Sequence, residues 1–107
     1  MSEEAENTGK MHDLQKMRVA MILLLSQENS KLLSRRQKVA GKEIEVMIAE
    51  RDLAGSPESA ELDEALERLY REDRIVRDAM AETEREIREM ERMLAKIDAD
   101  IASLCQA

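Results

Sequence analysis

There is no tryptophan and no phenylalanine in this chain, and Tyr70 is its only aromatic residue. Small globular cores are commonly anchored by large aromatics. Here Leu, Ile, Val, Ala and eight Met must fill any interior. One proline and three glycines leave little punctuation, so few turns are available. The single cysteine, Cys105, excludes an internal disulfide framework and leaves only a bridge between chains. The single histidine, His12, has no ligand cluster at metal-binding spacing, so no metal site is expected.

Long apolar runs are missing too. The most apolar stretch, Val19 to Leu25, has seven residues, and a membrane span needs about 20. Lys10, Lys16 and Arg18 precede it, but the residues after it, Ser26-Gln27-Glu28-Asn29-Ser30, offer no small-residue cleavage site. The expectation is a chain made in the cytoplasm without a cleavable signal, with export by a signal-independent route left open. There is also no glycine-rich phosphate loop and no nucleophile elbow. No enzymatic activity, cofactor or small-molecule substrate is expected.

What the chain has is charge: 38% of its 107 residues are Asp, Glu, Lys or Arg, with a net charge of −7. Residues 1–13 sum to −3, residues 14–54 to +3, and residues 58–104 to −7. A nucleic-acid binder normally carries a net basic footprint, and this chain does not. Lys31 to Lys42 holds five bases and no acid. That run reads more simply as the answer to the acids further along than as a phosphate-binding patch. Opposite signs in the two halves suggest that they lie against each other.

The apolar spacing is helical. Leu25, Leu32, Val39, Val46 and Leu53 recur every seven residues. Their companions, Met21, Glu28, Arg35, Lys42 and Ala49, are polar in the middle, so this first seam is the weaker one. In the second half, Leu62, Leu66, Leu69, Asp73, Val76, Met80, Thr83, Ile87, Met90, Leu94, Ile97, Ile101 and Leu104 alternate by four and three. That is a coiled-coil seam interrupted only by Asp73 and Thr83. Between the halves stands Gly55-Ser56-Pro57. Gly55 suits a left-handed position after a helix, Ser56 an N-cap, and Pro57 a first helical position.

The pattern predicts an all-α fold: an antiparallel two-helix hairpin with helix 10–54, turn 55–57 and helix 57–104. Residues 1–9, which are acidic and contain Asn7, Thr8 and Gly9, read as a flexible tail. A turn centred on Ser56 places residue i opposite about residue 112−i, so Val46 faces Leu66 and Leu32 faces Met80. In that register Asp73 lies near Arg35, Arg36 and Lys38, and Thr83 lies near Asn29. These five seam-side residues, Asp73, Arg35, Arg36, Thr83 and Asn29, form the expected polar, register-setting layer.

Ile22, Leu23, Leu24, Leu33, Ile44, Met47, Ile48, Ile75, Met90 and Met93 exceed what one pairwise seam covers. The excess implies completion by oligomerisation into a bundle or filament, or by a partner's helix. Two functions follow as expectations. The first is a structural protein that self-associates through its heptad faces. The second is a small chaperone or adaptor that holds an amphipathic partner helix, a use for which Met-rich surfaces are suited. In shape such a hairpin resembles small helical components of protein-export machines, an analogy at the level of fold alone.

Overall fold

The structure is a computed structural model and describes residues 2–106. Two helices, α1 (Ser2–Gly55) and α2 (Ala60–Gln106), account for nearly all of them. Neither a strand nor a positive-φ residue occurs among the described residues. The fold is an all-α helical hairpin.

Helix α1 begins at Ser2, not at Lys10, so the expected tail of residues 1–9 is helical over its described part. Thr8 does not cap. Its Oγ1 donates to the Glu4 carbonyl at 2.9 Å, a bond made inside the helix. Glu3 and Glu4 occupy the first turn, where the helix dipole favours acids.

The turn also differs from the expectation. Helix α1 runs through Gly55, whose φ is not positive, so Gly55 is not a left-handed cap. The Ser56 N–H donates to the Leu53 carbonyl at 3.0 Å, and the Ser59 N–H donates to the Ser56 carbonyl at 3.0 Å. Pro57 therefore sits second in a four-residue turn, a position its fixed φ suits. The N-cap of α2 is Ser59. Its Oγ accepts from the Leu62 N–H at 3.2 Å, and its carbonyl accepts the first helical bond, from Asp63, at 3.1 Å.

The longer turn moves the register. Pairing the helix ends Gly55 and Ala60 puts residue i opposite about residue 115−i, one seam layer away from the expectation. The chain divides into two compact units, and ion pairs within each bracket this value. One unit is Lys31–Glu84. There Lys42 Nζ lies 2.8 Å from Glu72. The other unit joins the residues up to Ser30 to those from Arg85 onward. There Arg18 Nε lies 2.7 Å from Asp98.

Within Lys31–Glu84, the new register matches every seam position of α1 with one of α2. Leu53 faces Leu62, Ala49 faces Leu66, Val46 faces Leu69, Lys42 faces Asp73, Val39 faces Val76, Arg35 faces Met80, and Leu32 faces Thr83. Leu32, Val39, Leu66 and Thr83 are buried, and Val46, Ala49, Leu53, Leu62, Leu69, Val76 and Met80 are half-buried. Thr83 is the most buried side chain of the unit, at 2% exposure. It is tolerated because its hydroxyl donates to the Ala79 carbonyl at 3.1 Å. Asn29, expected in the polar layer, belongs to the other unit and is exposed.

Within the other unit, Leu25 faces Met90, Met21 faces Leu94, and Leu14 faces Ile101 in the same register. Ile87 and Ile97 are buried there, and Leu25, Met90, Leu94, Ile101 and Leu104 are half-buried.

Candidate interaction surfaces

The seam consumes only part of the apolar surface. Among the described residues, twelve large apolar or aromatic side chains are at least 40% exposed. They divide between the units, and each set is described separately.

In Lys31–Glu84 the exposed apolar residues of α1 follow a second heptad row on the side away from its seam. Leu33, Gln37, Ala40, Ile44 and Met47 are spaced by four and three, and Ser34, Gly41 and Ile48 each lie one residue on from a row member. None of these eight carries a charge. Leu33 and Ile44 are each 60% exposed, and Met47 is 68% exposed. Ile44, Met47 and Ile48, with Glu50 and Arg51, line a surface groove of about 550 Å³. The corresponding outward row of α2 contains Glu64, Arg71 and Asp78, all exposed. Outward apolar surface is thus mainly a property of α1, with Ile75 the exposed aliphatic of α2 in this unit.

The charged groups of this unit clamp the two helices at the sides of the seam. Lys42 Nζ donates to Glu72 at 2.8 Å and to Glu45 at 3.0 Å. Arg77 donates from Nε to Asp73 at 2.8 Å and from its terminal nitrogen to Glu43 at 2.7 Å. The hydroxyl of Tyr70 donates to Glu50 at 3.2 Å. The bond from Lys42 holds the Glu72 carboxyl below the ordinary glutamate range, and the same contact raises Lys42. Arg77 is raised by its bonds to Asp73 and Glu43. Desolvation, then the bond to Glu50, raises Tyr70.

The expected polar layer of Asp73 with Arg35 and Arg36 does not form. Asp73 takes Arg77, one turn along its own helix, and its seam neighbour is Lys42. Its Oδ1 and the Nε of Arg35 are buried without hydrogen-bond partners. Arg36 and Lys38 are exposed and have no ion-pair partner among the described residues. Sequence reasoning missed Lys42 as the residue opposite Asp73 because the turn was placed too early. The signal was present in the second serine, Ser59, standing three residues before Leu62.

In the other unit, Met17, Leu24 and Met93 are exposed, as are Val19, Ile22 and Leu23. Leu14, Met17, Met21, Leu24, Met93 and Ile97 line a groove of about 470 Å³, with Lys96 and Asp100 at its edge. Cys105 is an exposed free thiol, and His12 is exposed. Among the described residues, no group of three or more His, Cys, Asp or Glu is placed to hold a metal ion. Among the described residues, no helix is long and apolar enough to cross a membrane.

In comparison with known proteins, no family model matches the chain, and neither the curated proteins nor the solved structures give a match.

Proposed function

We propose that this chain is a non-enzymatic assembly protein that self-associates through the helix faces its hairpin leaves open, as a subunit of an oligomeric bundle or helical filament. The observation that carries this reading is the exposed apolar surface. Among the described residues, twelve large apolar or aromatic side chains stand at least 40% exposed. Large apolar side chains contribute to that exposure in both units. Contiguous apolar surface of this kind marks an interaction site. Each further helix that packs on α1 removes apolar area from water, at roughly 25 cal/mol per Å².

The groove lined by Met17, Met21 and Met93 favours a second reading, a chaperone or adaptor for a partner's amphipathic helix. Flexible thioether side chains adapt to changing partners. Both readings are compatible with synthesis in the cytoplasm, and neither involves a catalytic step.

Thermal melting over a range of chain concentrations separates them. A self-assembling chain melts at a temperature that rises with concentration, because mass action stabilises the oligomer. A concentration-independent, broad melt that sharpens on adding an amphipathic helical peptide would replace self-assembly with the adaptor reading.

A further inference from the structure

We infer that the outward face of α1 between Leu33 and Ile48 is the contact between two copies of this chain, packed antiparallel about a two-fold axis close to Ala40. The inference rests on the self-association reading above and specifies its surface and direction.

A two-fold interface must be self-complementary: what residue i offers, its counterpart across the axis must accept. Reversing α1 about Ala40 lays Leu33 of one copy over Met47 and Ile44 of the other. The groove lined by Ile44, Met47 and Ile48 is there to receive it. Ala40 and Gly41 fall at the crossing point. A Cβ built on Gly41 meets nothing within 4 Å, so the backbone there is open to close approach.

Charge fixes the direction. At the flank of this face stand Arg36 and, seven residues on, Glu43, whereas the other four bases of residues 31–42 lie on the seam side of α1. A parallel copy would set base against base. An antiparallel copy sets Arg36, which has no ion-pair partner among the described residues of its own chain, beside Glu43 of the other. Glu43 already binds Arg77, yet its side chain remains 53% exposed and has acceptor capacity left. Helix α2 cannot substitute, because Glu64, Arg71 and Asp78 occupy its outward row.

The test uses the full chain with Cys105→Ser. Chains bearing Leu33→Cys and chains bearing Met47→Cys are oxidised separately and as a mixture, with circular dichroism to verify folding. The expected result is a 33–47 mixed disulfide and no 33–33 product. In the antiparallel pair the two Leu33 positions stand about 20 Å apart along the helix, beyond the roughly 7 Å reach of a disulfide. A second variant, Arg36→Glu, should weaken the dimer by about tenfold, because the two-fold axis repeats the Arg36–Glu43 pair and the charge reversal removes both copies. A 33–33 product would overturn the antiparallel direction. A dimer by mass that yields no 33–47 product would overturn this surface while leaving self-association standing. A monomer by mass would overturn both.

Discussion

At the scale of single residues, the balance turns on the layer of Lys42 and Asp73. Lys42 has found Glu72 and Glu45, and Asp73 has found Arg77, but Asp73 Oδ1 is buried and unbonded. A buried acceptor without a partner costs about 1–3 kcal/mol. Asp73→Leu should therefore raise stability to urea by about 1 kcal/mol, since apolar packing often outperforms a desolvated charge. A loss of 1 kcal/mol or more would mean that the Asp73–Arg77 bond contributes more than its exposure suggests. The Lys42–Glu72 pair contributes to the acid limb of the pH profile. Glu72 is held lower in the folded chain than in the unfolded one. Its contribution is complete above the ordinary glutamate range and is lost as pH falls through the lowered folded value. Lys42→Met should flatten that part of the stability–pH curve, read as a smaller drop in urea midpoint on acidification. An unchanged drop would assign the acid sensitivity to other carboxylates.

At the scale of elements, the two seams were legible in the sequence. The four–three spacing from Leu62 to Leu104 is long enough that no other periodic structure accommodates it, and every apolar member of it is buried or half-buried. The turn was only partly legible. Ser56 and Ser59 flank Pro57, and each satisfies the residue preference of an N-cap. What separates them is geometry: Pro57 as the second residue of a turn keeps the chain out of the helix until Ser59. That delay moves the register by one layer and changes the seam neighbour of Asp73 from Val39 to Lys42. The helical start at Ser2 was hidden for a similar reason. Asn7, Thr8 and Gly9 look like a helix boundary, but Thr8 satisfies its hydroxyl within the helix. Ser59→Ala should cost about 1 kcal/mol, the usual worth of a cap. Ser56→Ala should cost much less, because the Ser56 carbonyl, not its side chain, takes part in the turn. Equal losses by thermal denaturation would contradict the assignment of Ser59 as the cap.

At the scale of the whole molecule, the apolar excess could be counted from sequence, but its arrangement could not. Leu33, Ile44 and Met47 are scattered in the chain. They become a row only when α1 is a single helix whose opposite side is taken by its seam. That arrangement turns a surplus of hydrophobic residues into a surface with a position and a direction, and it underlies the central claim that the chain is built to assemble. Sedimentation equilibrium of the purified chain at micromolar concentration, with helicity followed in parallel, tests that claim most directly. The account predicts a highly helical species of at least twice the chain mass of 12.2 kDa. A highly helical species at the mass of one chain would contradict it.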